Sequence, residues 1–245
     1  MIATTTHTPV AAHDVSLRVG DGPDATYALR GVTFAAAAGE LTAIVGEAGC
    51  GKSSLLHVLA GLDRPTTGAV TLAGRQLAGL EDREATALRR DHVGILLPEA
   101  PALPTITIRE NVALPLLIAA RRPEPGAVEA LLERVGLADH LHHRPDQLTA
   151  GERRRAALAR ALLGAPTVLL VDEPAADLPA DEARALMELL RDAAHEDGIA
   201  VVVFTREPEV AALADRVERL DGGRLGCAQL PRASRLIDAS LGVAA

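Results

Sequence analysis

A glycine-rich segment that contains one lysine and two serines is the part of the sequence best suited to chemistry. Its nine residues are Gly46-Glu47-Ala48-Gly49-Cys50-Gly51-Lys52-Ser53-Ser54. They fit the P-loop pattern in full, in which the lysine reaches the β- and γ-phosphates and the first serine hydroxyl binds Mg²⁺. Glycines let backbone N–H groups curl around a phosphate, and the N-terminus of the next helix adds a favourable dipole. The spacing predicts a Mg-nucleotide site with Lys52 on the phosphates and Ser53 on the metal.

The flanks of this segment are those that a phosphate site requires. An apolar run, Leu41–Val45, precedes it, and a helix-like stretch, Lys52–Ala60, follows it. The alternative is a glycine-rich turn that matches by chance, and the two flanks favour the phosphate site. Cys50 occupies a variable position of the pattern, so we expect a small filler there rather than a reactive thiol.

Two acids follow a second apolar run. Val168–Val171 has the composition of a central strand, and Asp172, Glu173 and Pro174 come directly after it. Open α/β sheets bind their ligands at the carboxyl ends of the strands. Asp172 is therefore placed to hold Mg²⁺, directly or through water, and Glu173 to orient or deprotonate the attacking water. The alternative is an acidic turn after a buried strand, which the presence of a P-loop makes the weaker interpretation.

Strand-like and helix-like segments alternate along most of the chain, which indicates a parallel sheet covered on both faces. From Thr107 to about His140 the pattern is helical, and the region 80–148 is predicted to be a helical insertion between two halves of the sheet. The predicted strands are 14–19, 27–34, 41–45, 93–97, 168–171 and 200–204, and the predicted helices outside the insertion are 52–60, 152–163 and 181–194.

The 245 residues are read as one large domain over 13–228. Residues 1–12 are predicted to be a loose leader without the features of a secretory signal, and 229–245 a C-terminal tail. The longest apolar stretch near the middle, Val112–Ala120, is interrupted by a proline and is far shorter than the roughly 20 residues that span a bilayer. We therefore expect a soluble domain that a partner would hold at any membrane where it works.

Composition excludes several classes of function. Aromatic residues make up 1% of the chain and the net charge is −8, so neither base stacking nor a broad phosphate-backbone footprint is available and no nucleic-acid partner is expected. The chain has two cysteines and no Cys/His cluster, which favours a reducing compartment and argues against structural zinc.

Three segments together resemble the ATP-binding proteins of ABC transporters. Gly46–Ser54 is similar to Walker A, Leu148-Thr149-Ala150-Gly151-Glu152 to the signature, and Leu170–Pro174 to Walker B. Gly61–Gly68 and Glu110–Leu116 are similar to the lipoprotein-release and macrolide-export branch. The resemblance covers roughly 13–225. It implies an α/β P-loop NTPase with a RecA-like parallel core, an antiparallel β-subdomain and an inserted α-helical subdomain.

The resemblance also implies partners. Two ATP-binding subunits, identical or different, would form a head-to-tail dimer that sandwiches two ATP molecules with Mg²⁺. Each ATP would lie between the P-loop of one subunit and the signature of the other, where Thr149 and Gly151 would contact it. A membrane-spanning permease would hold the dimer at the cytoplasmic side of the cell membrane as a peripheral subunit, and the groove near Pro98 to Leu103 is the predicted contact.

Two departures from the family pattern concern catalysis. Where the family has a Gln that touches Mg²⁺, this chain has Pro98, which offers neither an amide side chain nor a backbone N–H. Where the family has a switch His, it has Arg206. Arginine carries five donors and can clamp a phosphate, so Arg206 is a candidate catalytic residue. The alternative is a solvated side chain paired with Glu207 or Glu209.

Other departures concern the dimer interface and the base. In the signature Ala150 adds a methyl group and Glu152 a negative charge. Pro179 replaces an Asp that crosses the interface in the family, and Val19 replaces the adenine-stacking aromatic. Tyr27 would need a different loop path to take that role.

The leading hypothesis is an energy-coupling subunit with a slow ABC-type ATPase activity. A nucleotide-gated structural subunit, paired with a competent ATPase, is the alternative that the departures favour. An ABC ATPase that acts on DNA or ribosomes is a third possibility, against which the acidic charge and the single P-loop argue.

Overall fold

The computed structural model describes residues 8–20, 22, 25–98 and 102–227. Two sheets and a group of helices account for most of them. In chain order the elements are β1 (Val10–Val19), β2 (Thr26–Ala36), β3 (Leu41–Val45), α1 (Lys52–Leu59), β4 (Thr67–Leu72), β5 (Arg75–Gln76), α2 (Asp82–His92), β6 (Val93–Leu96), α3 (Ile108–Ile118), α4 (Ala127–Arg134), α5 (Ala150–Leu162), β7 (Val168–Asp172), α6 (Ala180–His195), β8 (Ala200–Thr205), α7 (Pro208–Ala211), β9 (Arg216–Asp221) and β10 (Arg224–Cys227).

The main sheet has the strand order β10-β9-β3-β8-β7-β6. The pairs from β9 to β6 are parallel, and β10 is antiparallel to β9. Side chains of β3 and β8 are buried throughout, as are the first four of β7. Strands covered on both faces read as continuous apolar runs, which is why the sequence predicted them well.

The two faces of this sheet carry different layers. Along β7 the side chains of Val168 and Leu170 pack into one apolar cluster, with α1 and the second sheet. Leu169 and Val171 point the other way and pack with α5, α6 and the inserted helices. This period of two residues follows from the pleat of a strand. The predicted α/β fold with a parallel core is confirmed.

The second sheet is antiparallel, with the order β2-β1-β4-β5. It is the predicted antiparallel β-subdomain. Its first strand begins at Val10, and Val10–Ala12 are buried and pair with β2 and β4. The prediction of a loose leader through residue 12 is therefore wrong for these three residues, because their apolar side chains complete the core of this sheet. Residues 1–7 and the predicted tail 229–245 lie outside the described residues.

The helical insertion is shorter than predicted. Val93–Leu96 forms β6, which pairs in parallel register with β7, and α2 packs against it. Both belong to the main core, so the insertion begins after Leu96 and not near residue 80. Its helices α3 and α4 bury Ile108, Val112, Val128 and Leu132 against α5.

Candidate nucleotide site

Strand register brings three chain segments to one edge of the main sheet. Val45 lies opposite Thr205 and Asp172 opposite Phe204, so the residues that follow β3, β7 and β8 emerge side by side. The Gly46 N–H donates to the Thr205 carbonyl at 3.1 Å, and the Glu173 N–H donates to the Phe204 carbonyl at 2.8 Å. The P-loop, the two acids and Arg206 therefore share one site.

The P-loop has the backbone that its glycines permit. Gly51 has a φ of +110°, and a Cβ there would collide with the carbonyl oxygen of Ala28. A Cβ at Gly46 would collide with the Leu220 carbonyl oxygen and would lie 2.6 Å from the Cys50 sulfur. Cys50 is itself buried, in agreement with the filler role expected from the sequence. Close approach of neighbouring backbone thus requires glycine at both positions.

Lys52 folds back over the loop. Its ammonium donates to the carbonyl oxygens of Gly46 at 2.7 Å and Glu47 at 3.1 Å, and only 7% of its side chain is exposed. The Glu173 carboxylate lies 3.6 Å from the same ammonium. The first turn of α1 has no side-chain cap and no acidic residue, which leaves its N–H groups and the positive end of its dipole for an anion.

Ser53 and Asp172 lie together. The Ser53 hydroxyl hydrogen-bonds to the Asp172 carboxylate. Burial raises the pKa of Asp172, and the charge of Glu173 raises it further, while Lys52 and the hydrogen bond from Ser53 lower it. A hydroxyl oxygen beside a carboxylate is a donor set that suits Mg²⁺.

Glu173 has a backbone conformation that is unusual for a residue other than glycine. Its φ is +43°, in the left-handed region that non-glycine residues rarely adopt. Arg154 on α5 donates to the carbonyl oxygens of Glu173 at 2.8 Å and Pro174 at 2.9 Å. The Glu173 side chain is 13% exposed. Strain of this kind persists only where surrounding contacts determine the conformation, and it is common at functional sites.

Arg206 contacts Glu173. Its Nε lies 3.3 Å from the Oε1 of Glu173, and its backbone N–H donates to Oε2 at 3.1 Å. Among the described residues Arg206 has no ion pair with Glu207 or Glu209, which contradicts the alternative considered from the sequence, a solvated side chain paired with one of them. The local sequence offered only these neighbours, whereas the observed partner is 33 residues away and is brought near by β7–β8 pairing.

The signature residues lie at the start of α5. Thr149 caps the helix: its hydroxyl accepts from the Glu152 N–H at 3.2 Å, and its own N–H donates to the Glu152 carboxylate at 2.8 Å. This backbone hydrogen bond lowers the pKa of Glu152. Gly151 is buried, and the Glu182 carboxylate lies directly against it. Within the described part of the chain, no hydrogen bond joins Thr149 or Gly151 to the P-loop.

Comparison with known proteins decides the family. The model of a family described as ABC transporter matches residues 29–176. The chain belongs to the ABC transporter ATP-binding family. This cassette is an ATP-binding subunit and an ABC-type ATPase.

Individual relatives agree with this assignment. The cassette is 40% identical over 208 residues to the lipoprotein-releasing system ATP-binding protein LolD of Pseudomonas syringae pv. tomato, covering 84% of this chain and 91% of the relative. It is 41% identical over 207 residues to LolD of Bordetella pertussis, covering 84% and 90%. An uncharacterized ABC transporter ATP-binding protein of Mycobacterium tuberculosis is 37% identical over 218 residues, covering 88% of each chain.

Solved structures share the fold. A dimeric ATP-binding cassette in a post-hydrolysis state, bound to ADP and Pi, has a TM-score of 0.80 at 32% identity and covers 89% of this chain and 98% of its own. A dimeric bacterial ABC transporter cassette has a TM-score of 0.78 at 33% identity, covering 88% and 96%.

The structure also places the remaining departures of this cassette from the family pattern. Pro98 follows β6, is exposed, and lines a cavity of about 360 Å³ between the core and the inserted helices. Pro179 precedes α6 and is exposed. Val19 is exposed, and the Arg30 guanidinium lies 5.4 Å from the centre of the Tyr27 ring. Tyr27 pairs across the strands with Arg18, the neighbour of Val19.

Proposed function

We propose that this chain binds Mg-ATP on 46–54, hydrolyses it with Glu173, and couples both steps to a membrane-spanning permease. The observation that carries the proposal is the position of Lys52. Its ammonium sits in the mouth of the P-loop, held by two loop carbonyls and 3.6 Å from the Glu173 carboxylate. A lysine so placed exchanges these contacts for phosphate oxygens when a nucleotide enters.

The residues present fit ATP and magnesium. The loop is open at Gly49, where an added Cβ would meet no other atom within 4 Å, and the uncapped N-terminus of α1 is available to an anion. Ser53 and Asp172 would hold Mg²⁺, directly or through water. Bound magnesium would neutralise the negative charge on the phosphate oxygens.

Hydrolysis needs a group that orients water, and Glu173 is that group. Its carboxylate would accept a proton from the attacking water, whose oxygen bonds to the γ-phosphorus as the bond to the ADP oxygen breaks. Pro98 supplies no amide to the site, so we expect turnover slower than that of a cassette with the full family pattern. The low exposure of the Glu173 side chain and the hydrogen bonds to its backbone support its role.

A second ATP-binding subunit would complete each site. Thr149 and Gly151 would face the nucleotide of that subunit, at the N-terminus of α5. The two dimeric relatives of known structure support this arrangement. The alternative, a structural subunit that leaves hydrolysis to its partner, is favoured by the Glu182 carboxylate against Gly151, where it would repel a phosphate.

The permease would bind beside Pro98. The cavity there is lined by Leu97, Ala102 and Ile108 and by the side chains of α5, and Leu97 and Leu103 are exposed. Glu99, Ala100 and Pro101, which belong to the predicted contact, lie outside the described residues. No helix in the described ranges is long and apolar enough to cross a bilayer. The proposed location is the cytoplasmic side of the membrane, peripheral to the permease.

The variant Glu173→Gln tests the catalytic part of this proposal. The amide cannot accept a proton, so we expect ATP hydrolysis to fall to background while Mg-ATP affinity stays within about twofold of wild type. Phosphate release and calorimetric titration measure the two quantities. Hydrolysis that continues at the wild-type rate in Glu173→Gln would contradict the role given to Glu173.

A further inference from the structure

Two residues contact the carboxylate of Glu173: Lys52 at the start of α1, and Arg206 directly after β8. Oε1 lies 3.6 Å from the Lys52 ammonium and 3.3 Å from the Arg206 Nε, and Oε2 accepts the Arg206 backbone N–H at 3.1 Å. We infer that Arg206 is a positioning residue, which fixes the carboxylate of Glu173 and does not bind ATP. This inference rests on the proposed function, since it presupposes hydrolysis by Glu173.

The main-chain geometry directs Arg206 toward Glu173. The Glu173 N–H donates to the carbonyl of Phe204 at 2.8 Å, which locks the ends of β7 and β8 together. Thr205 is buried, and its hydroxyl accepts the Glu207 N–H at 3.1 Å, which fixes the turn after β8. Arg206 lies between these two contacts. Its backbone N–H and its guanidinium both reach the Glu173 carboxylate.

Local acids do not compete for Arg206. Glu207 and Glu209 are the carboxylates nearest to it in sequence, and neither forms an ion pair with it in the described structure. The Arg206 side chain is 57% exposed, so its contact with Glu173 contributes orientation more than stability. A phosphate clamp would require the guanidinium to leave Glu173, which would free the carboxylate on which the reaction depends.

The role of Arg206 becomes larger once Lys52 turns to the phosphates. Among the described residues, Lys52 and Arg206 are the two side-chain cations at Oε1. When Lys52 contacts phosphate, Arg206 remains as the side-chain restraint on the carboxylate. Rotation of that carboxylate would move it off the line between water and phosphate, and a displacement of about 1 Å can cost about 10²-fold in rate.

The kinetic test compares Arg206→Gln and Arg206→Lys with wild type in single-turnover and steady-state hydrolysis of Mg-ATP. We expect Arg206→Gln to lower kcat about tenfold, with KM and the calorimetric Kd for Mg-ATP within about twofold, since the lost contact is with Glu173 and not with ATP. Arg206→Lys keeps a cation and should recover part of kcat. Arg122→Gln is the matched control: Arg122 is an exposed arginine of the helical insertion, and its variant should match wild type.

The background of Glu173→Gln separates positioning from binding. There Arg206→Gln should change neither the residual rate nor the affinity for Mg-ATP. A Kd weakened more than about fivefold by Arg206→Gln, in either background, would show that Arg206 binds the nucleotide and would overturn the inference. An unchanged kcat in Arg206→Gln would overturn it as well.

If the wild-type chain hydrolyses ATP no faster than Glu173→Gln, Glu173 does not catalyse hydrolysis and Arg206 cannot act by positioning it. That result would also overturn the inference. ATP binding would survive such a result. The affinity of Lys52→Ala for Mg-ATP is measured in the same series. Loss of binding in that variant supports nucleotide binding at the P-loop, whatever the result for Arg206.

Discussion

Asp172 lies at the end of a buried strand, where its ionised form loses water. Burial is the main cause of its raised pKa, followed by the charge of Glu173. The folded state therefore favours the protonated carboxyl more than the unfolded chain does. The stability that results is fully present below the ordinary aspartate pKa and is lost as pH rises through the raised one. At neutral pH an ionised Asp172 lowers the stability of the nucleotide-free protein.

Replacement of Asp172 by asparagine should increase the stability of the nucleotide-free protein and weaken its binding of magnesium. We expect Asp172→Asn to raise the Tm of the nucleotide-free protein at neutral pH, by about 2–4 °C for each kcal/mol recovered, and to abolish the magnesium dependence of ATP binding. Thermal unfolding at several pH values and calorimetry with and without Mg²⁺ measure these effects. Asp139→Asn, at an exposed aspartate, is the control, and a lower Tm in Asp172→Asn would contradict the account.

Local spacing was sufficient to predict part of the site at this scale. Lys52 and Ser53 follow from one nine-residue pattern, and Asp172 and Glu173 from two acids after an apolar run. The contact between Glu173 and Arg206 could not be predicted in the same way. It depends on which strands are neighbours, and that order is set by the whole sheet.

The start of α5 combines a structural and a proposed functional role at the scale of the element. Thr149 and Glu152 form a reciprocal capping box, so the hydroxyl that the signature would offer to a phosphate is already an N-cap. The helix also carries Arg154, which donates to the backbone of Glu173 and thereby connects α5 to the residue that follows β7. A movement of α5 would therefore displace the backbone of Glu173.

Removal of the cap should destabilise the protein by about 1 kcal/mol. We expect Thr149→Ala to lose this amount in urea unfolding, because the Glu152 N–H is left without its partner. Thr149→Ser keeps the hydroxyl and should stay within about 0.5 kcal/mol of wild type. Equal midpoints for the alanine and serine variants would show that the capping box contributes nothing.

Boundaries of elements were harder to predict than their existence. The strands β3, β7 and β8 were recognisable because their side chains are buried on both faces, whereas β9 and β10 of the same sheet were not predicted. The short β6 is predicted as a strand, yet it lies within the region 80–148 that is predicted to be the helical insertion. Only the register of β6 with β7 shows that β6 belongs to the core. In the same way, Val10–Ala12 join a sheet whose partners, β2 and β4, lie further along the chain.

At the scale of the whole molecule, the inserted helices and the core enclose a cavity beside Pro98. Arg153, Arg154 and Arg160 line it together with small apolar side chains. A cavity between the main core and the inserted helices suits a short helix from another subunit. The proposed permease contact lies at this cavity.

Cysteine crosslinking tests that contact. In a chain whose Cys227 is replaced by serine, Ala102→Cys should crosslink to the cognate membrane-spanning subunit, because Ala102 lines the cavity. Arg184→Cys, on the exposed face of α6, is the control and should not crosslink. Crosslinks from Arg184→Cys alone would place the permease on another face of the molecule.

Nucleotide binding at the P-loop is the claim on which the other proposals depend. Calorimetric titration of Mg-ATP into wild type and Lys52→Ala tests it most directly, since Lys52 is the one side-chain cation within the P-loop. Circular dichroism of both proteins shows that each is folded. We expect saturable binding by wild type and no measurable binding by Lys52→Ala. Equal affinity of the two proteins for Mg-ATP would contradict the account.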